Sequence, residues 1–508
     1  MPAPATMTFD SWLLTLTWLI PAATIPILML VPEGRNRAIR RISLASASLN
    51  LALNIWLIFR YMAWDGRLDA AGTVTRLFGA AKIPWFEALR IHYFVGADGI
   101  SLLLMLLAAM IAFCGVLVSW TIENRVREFF IFMMALLCGV FGCFVSFDLF
   151  TFFLFNEVTL IPTYLLIGIF GSGRKEYAAM KLNLMLIGGS ALILTGILGL
   201  YYESGIHSFD MLELSQVRFA RDFQMWAFPA LFIGFGVLGA MFPFHTWSPD
   251  GHSSAPTAIS MFLAGVHMKL GGYGCLRVAM YLLPEGSREW MGLFLVLSTI
   301  GIVYGAFVAV RQTDLKYINA YSSVSHCGLV LFGYAALNFI GVKGGVLQMF
   351  SHGMTTALFF ALIGMIYTRT HTRTVAEMGG LMKVIPFIGV CFVLAGFAGL
   401  GQPGLSGFVA ELTVFIGAFF NQPALNRVCT VLAILSIVVT AVYILRATNT
   451  ILNGPLREGC AGLRDAGAAE RLAAGLLLAG IVAMGVYPRW VTAIVDDSVQ
   501  VIVNNLMR

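Results

Sequence analysis

Glu157, Lys269 and Glu411 each stand alone in a long apolar run: FLFNEVTLIPTYLL, FLAGVHMKLGGYG and GLSGFVAELTVF. A charged side chain at mid-bilayer costs roughly 3 kcal/mol on insertion scales. Such residues therefore face protein or water rather than acyl chains. A partly desolvated acid or base responds strongly to a change of charge nearby. Two acids and one base held at this depth suggest proton transfer across a membrane.

Histidine extends the set. His326 (SSVSHCGLV) and His352 (FSHGMTTALFF) sit in apolar segments beside Ser325 and Ser351, which suits a hydrated path. Histidine titrates near neutral pH and passes protons through either ring nitrogen; a lone buried histidine can equally be a satisfied core residue. His267 lies two positions from Lys269, which is roughly 200° round a helix, so the two point to different neighbours. His245, Asp250 and His252 fall within FPFHTWSPDGH, where Pro243, Trp247 and Pro249 favour a stiff re-entrant loop over a metal site. Asp98, Asp148 and Lys181 fall near expected helix ends, where capping or snorkelling is the ordinary role.

These residues need elements to hold them, and composition says which kind. Of 508 residues, 59% are hydrophobic and 11% charged, with mean hydropathy +0.85. Soluble proteins carry about 25% charged residues, so there is too little charge here to cover a water-exposed surface. The net charge of +6 reads as the basic bias of cytoplasmic loops rather than a nucleic-acid surface. The eight cysteines form no CxxC pair, which argues against an iron–sulfur or zinc site. No GxGxxG follows an expected strand and no GxxxxGK[ST] occurs, so no nucleotide or redox cofactor is expected in this chain and the energy must come from elsewhere. The first apolar segment lacks a basic leader and a small-residue cleavage site, and reads as the first helix.

A spanning helix needs about 20 mostly apolar residues. The sequence predicts an all-α polytopic membrane protein with about fourteen spans: 11–31, 43–63, 98–119, 128–147, 149–170, 179–202, 225–244, 254–282, 289–309, 317–338, 342–367, 383–419, 429–450 and 471–492. The seventh runs into Pro243 and Pro249, and the twelfth contains GLGQPGLSG, so both should be broken. Breaks five helices apart predict two inverted five-helix repeats, helices 4–8 and 9–13. The expected divisions are 1–120, 121–283, 284–452 and 453–508. Loops after odd-numbered helices hold 18 basic residues against 13 on the other side, which predicts both termini outside the cell membrane.

GADGISLLLMLL, DLFTFFLFNEVTLIPTYLL, FPFHTWSPDGHSSAPTAISMFLAGVHMKLGGYG and PGLSGFVAEL resemble the antiporter-like subunits of respiratory NADH:quinone oxidoreductase (complex I). Glu411 resembles subunit M, since its sisters and the multisubunit cation/proton antiporters usually have Lys there. The resemblance implies a proton-translocating subunit of a bacterial inner membrane. Its expected partners are the bilayer and the flanking antiporter-like subunits, with no nucleic acid. Flavin, iron–sulfur clusters and quinone would lie in neighbouring subunits. It implies that Glu157, Lys181, Lys269, His326, His352 and Glu411 match the proton pathway: in near Lys181 and Glu157, along Lys269, His326 and His352, out near Glu411. One position departs. The family usually has Lys where this chain has Leu238, and His267 stands where the family is aliphatic and could compensate. The alternatives are a subunit of a cation/proton antiporter, of a membrane-bound hydrogenase-type complex, or a non-conducting spacer.

Overall fold

The computed structural model describes residues 6–64, 66, 77–420 and 424–507. Its α-helices run in chain order as α1 (Phe9–Leu30), α2 (Asn36–Met62), α3 (Gly99–Val118), α4 (Val126–Val145), α5 (Leu149–Phe170), α6 (Lys175–Glu203), the short α7 (Met211–Leu214), α8 (Arg221–Leu238), α9 (Trp247–Ser254), α10 (Thr257–Phe262), α11 (Met268–Gly274), α12 (Pro284–Arg311), α13 (Leu315–Ala335), α14 (Phe339–Thr370), α15 (Pro386–Gly399), α16 (Ser406–Phe419), α17 (Ala424–Leu452), α18 (Ala468–Val486) and α19 (Arg489–Leu506). α3 and α14 are almost wholly enclosed by the other helices. Every expected span overlaps at least one helix. The protein crosses a membrane many times.

Ten helices among the described residues are long and apolar enough to cross: α1 to α6, α12, α14, α17 and α18. The four expected spans outside that set are the seventh, eighth, tenth and twelfth. α8 stops at Leu238, where the chain leaves the helix until Trp247. The eighth span is α10 and α11 with π-helical turns at Leu263–His267 and Cys275–Met280. α13 carries Asn, Ser and His along its length. The twelfth is split into α15 and α16 by Leu400–Leu405. These interrupted or polar elements carry Lys269, His326 and Glu411. π-Bulges and broken helices free backbone groups that need partners, and at membrane depth they occur where protein or water supplies them.

Both breaks are stitched from within. The Trp247 indole donates to Val237 O at 2.8 Å, satisfying a carbonyl at the end of α8. Gly401 takes φ +66°, and a Cβ there would meet Glu411 Oε2 at 2.6 Å, so glycine both makes the turn and leaves room for the carboxyl. α5 and α13 begin alike: Asp148 accepts from Thr151 N at 3.1 Å and Asp314 from Lys316 N at 2.7 Å. Each capping Asp also forms an isolated antiparallel bridge, Asp148 with Asp210 and Asp314 with Thr374.

The expectation of helices alone needs one addition. Strands β1 (Phe78–Phe86) and β2 (Ile91–Ala97) form an antiparallel hairpin between α2 and α3, pairing Lys82 with Phe94. A lone hairpin is marginal in water, and this one is anchored. Phe147 N donates to Phe94 O at 2.9 Å, and Lys82 Nζ reaches Asp210 at 2.7 Å and Glu213 at 2.6 Å. Burial works to lower the Lys82 pKa, but the bonds and charges of Asp210 and Glu213 outweigh it and the net shift is upward. For Glu213 burial works upward, and Lys82 turns the net shift downward. At the other terminus, α19 buries Val491, Ile494, Val495, Val499, Ile502 and Leu506 as one stripe against α3 and α14.

Candidate functional site

Four of the sequence-predicted residues lie in one row through the interior. Lys269, on α11, is 1% exposed; its Nζ lies 2.5 Å from Ala264 O and 2.8 Å from His352 Nδ1. The first bond reflects the π-turn, which leaves the Ala264 carbonyl without a regular i+4 partner. His352 on α14 stacks on His326 of α13, ring centroids 5.1 Å apart and planes 25° off parallel. His326 Nδ1 is 3.5 Å from Glu411 Oε1 on α16. The spatial order is thus Lys269, His352, His326, Glu411, with the two histidines exchanged relative to the expected order. His352 on α14 thus meets the lysine first.

The far end of the row is built to switch. His326 Nδ1 lies 3.2 Å from Gln348 Nε2 as well as near Glu411. One ring nitrogen either accepts from the amide or donates to the carboxyl, so a proton moving onto it exchanges its partner. Gln348 Oε1 is buried without a protein partner, and turning the amide over would let it accept from a protonated ring. Beside them is a cavity of ≈ 20 Å³ bordered by Ser325, His326, Glu411, Ser436 and Thr440, room for one water. The two serines next to the histidines serve helix contacts: Ser325 donates to Ile302 O at 2.8 Å and Ser351 to Ser406 Oγ at 2.8 Å.

Glu157 and Lys181 stand apart from the row. Glu157 is half-buried, and Oε1 accepts from Ser190 Oγ on α6 at 2.6 Å and from Asn156 Nδ2 at 3.3 Å; both partners are neutral. Leu238, 4% exposed, ends α8 and brings no cation. Lys181 pairs with Asp250 at 2.7 Å, and the Tyr317 hydroxyl donates to the same carboxylate at 3.1 Å. His267 faces α5 while Lys269 faces α14, as their spacing implied. His267 Nε2 is 2.9 Å from Thr159 Oγ1, whose hydrogen is spent on Asn156 O at 2.7 Å. The ring therefore donates from Nε2, leaving Nδ1 as a lone-pair acceptor buried without a protein partner. This places an imidazole against the turn of α5 that carries Glu157.

Sequence reasoning missed His252. It is fully buried on α9 against Trp247 and Phe360, and neither ring nitrogen has a protein partner. Buried polar atoms nearly always have a partner, protein or water. His267 Nδ1 and Asn156 Oδ1 are likewise buried without a protein partner. The HxWxPxxH spacing was the available signal, but proline and tryptophan made it read as a rigid loop. No group of three or more potential metal ligands occurs among the described residues.

The comparisons bear on this arrangement. Residues 146–446, which hold all seven sequence-predicted residues, match the family described as NADH:quinone oxidoreductase/Mrp antiporter, TM. The chain belongs to this antiporter-like family. It is 38% identical to the NAD(P)H-quinone oxidoreductase chain 4 3 of Picosynechococcus sp., over 84% of this chain and 77% of that one. It is 35% identical to the chain 4 2 of Thermosynechococcus vestitus, over 96% and 90%. Among solved structures it superposes on a chain of respiratory complex I from Thermus thermophilus with TM-score 0.86 at 27% identity, covering 97% of this chain and 99% of the other. The Mrp complex from a Dietzia species shares the fold, with TM-score 0.82 at 19% identity.

Proposed function

We propose that this family member is a proton-translocating membrane subunit of a complex I-type NADH:quinone oxidoreductase, coupling quinone reduction in neighbouring subunits to proton transfer across the membrane. The observation that carries the reading is the row Lys269–His352–His326–Glu411, in which Lys269 bonds His352 at 2.8 Å, the two histidine rings stack at 5.1 Å, and His326 lies 3.5 Å from Glu411. The motive force is electrostatic: a charge placed at one member changes the proton affinity of the next. Protons enter from the basic side, which we assign to the cytoplasm, near Lys181 and Glu157, and leave by Glu411. His267 takes part of the place of the lysine absent at Leu238. The matching Asp-capped starts of α5 and α13 and the two broken helices support the inverted-repeat architecture and the fourteen-span count.

Glu157 supports the assignment of flanking membrane subunits as partners. It sits on a face where Leu154, Val158, Ile161, Leu184 and Ile187 are exposed. A carboxylate on such a face is costly against acyl chains, and a neighbouring subunit covers it. Flavin, iron–sulfur clusters and quinone belong to those partners. The bacterial inner membrane, with both termini outside, is the setting we assign. A second reading, a subunit of a membrane-bound hydrogenase-type or antiporter complex, is favoured by the neutral partners of Glu157 and by the apolar residue at Leu238. Mass spectrometry of the natively purified complex separates them. The oxidoreductase reading expects flavin- and iron–sulfur-bearing subunits to co-purify with NADH:quinone activity; a complex of antiporter subunits alone, or one with a hydrogenase subunit, would replace it.

A further inference from the structure

We propose that Lys269 has a second proton intake, through the second repeat, along a ladder of hydroxyl groups formed by Thr356 and Ser323 and ending on the outer nitrogen of His352. The inference rests on the proton-translocating reading above and on its assignment of the basic side to the cytoplasm.

His352 uses both ring nitrogens. Nδ1 meets Lys269, and Nε2 lies 3.2 Å from Ser323 Oγ, away from His326 and the exit. Ser323 Oγ lies 3.0 Å from Thr356 Oγ1, and Asn319 Nδ2 donates to the same threonine oxygen at 3.4 Å. Asn319 and Ser323 are one turn apart on one face of α13 and lead from its N-terminal end, the basic side, toward mid-membrane. At the outer end Asn319 and Ser322 border a cavity of ≈ 20 Å³ between α13, α14, α15 and α17, again room for one water. Tyr443 OH donates to Ser322 Oγ at 2.8 Å there. Ser323, Thr356 and His352 are all buried, so this is a line of polar groups through an apolar wall.

Its position in the fold matches that of Glu157. Ser323 follows its capping Asp314 by the same interval as Glu157 follows Asp148. The two elements that start alike therefore place one polar group each at the same depth. In the first repeat that group has only the neutral partners Ser190 and Asn156; in the second it connects to the central lysine through His352.

The transfer balances without any other reactant. With the hydrogens turned inward, a water that reaches Thr356 from the cavity past Asn319 gives a proton to Thr356 Oγ1. Thr356 passes its own to Ser323, Ser323 to His352 Nε2, and His352 gives the Nδ1 proton to neutral Lys269 Nζ. Each hydroxyl and the ring end with the number of protons they began with, Lys269 gains one, and the water loses one. The hydroxyl pair and both ring contacts allow either hydrogen direction, as a relay that must reset requires. Asn319 is a positioning residue: it fixes the Thr356 oxygen and carries no proton.

The test is proton pumping by the intact complex in proteoliposomes carrying Thr356→Val, Ser323→Ala or both, with assembly checked by native electrophoresis. Isosteric loss of the hydroxyls should slow loading of Lys269 by ~10²-fold, the scale on which positioned acid–base groups act. The proton-to-electron ratio falls as a result, and Thr356→Ser restores it. A wild-type ratio in the assembled double variant overturns the ladder. Lys269→Met distinguishes the two levels of failure. If it lowers the ratio while the double variant does not, only the ladder is wrong; if neither lowers it, the proton-translocating reading fails with it. A double variant that does not assemble is replaced by Thr356→Val alone, read against Thr356→Ser.

Discussion

Replacing Lys269 with Met should abolish this subunit's share of proton pumping while leaving the complex assembled. Met keeps the length and apolar volume of the stem, and the side chain contacts a backbone carbonyl and a histidine rather than a structural carboxylate. No buried counter-ion is stranded. What is lost is the only group in the row that links His352 to the first repeat, so the transfer step slows by ~10²-fold or more. Quinone reduction falls with it, because coupled electron transfer waits for the proton. Lys269→Arg sharpens the result. Arginine keeps the charge but does not release a proton in proteins, so it too should fail to pump. The proton-to-electron ratio of reconstituted complex reads both variants. Normal pumping by the arginine variant would mean that only the charge matters and that no proton passes through this position.

The largest stability effect is expected at Arg277 and Asp98. The pair is 5% and 8% exposed. Arg277 Nη2 bonds Asp98 Oδ2, and its guanidinium lies 5.3 Å from the Phe147 ring and 5.7 Å from that of Tyr273. Asp98 is also the cap of α3, accepting from Ser101 N at 2.9 Å. The pair thus pins the π-turn below Lys269 to the start of a central helix. Arg277→Met leaves Asp98 buried and unpaired, which costs about 3–5 kcal/mol. Asp98→Asn keeps the cap and removes the acid. The double variant Asp98→Asn/Arg277→Met strands no charge and should recover most of the loss. Thermal unfolding of the solubilised complex measures all three. Additive losses in the double variant would mean that the two residues act independently.

Much of this was legible in the sequence, and the reasons are specific. The long apolar runs declared the spans, and Pro243, Pro249 and the cluster Gly399–Gly407 declared the two broken helices, because these residues act on the backbone locally. Lone ionisable residues in apolar runs declared the row for the same reason: burial cost is a property of the residue itself. The hairpin was not legible, since its register depends on Phe147 and Asp210, distant in the chain. The π-turns around Lys269 leave no local signature. The order of His352 and His326 is set by how α11, α13 and α14 pack together, and that is tertiary. Ser190, Gln348, Ser323 and Thr356 passed unnoticed because a hydroxyl or amide in an apolar helix ordinarily bonds its own backbone. Only packing shows which of them reach across to another helix.

The central claim is that water connects these buried acids and bases into one path. A high-resolution electron-microscopy map of the native complex tests it directly. The account predicts ordered water on His267 Nδ1 and on the His252 ring, and in the ≈ 20 Å³ cavity beside Glu411. Those waters should join Glu157 to Lys269 and Glu411 to the outer face. Density with these side chains in dry, separate pockets would contradict it.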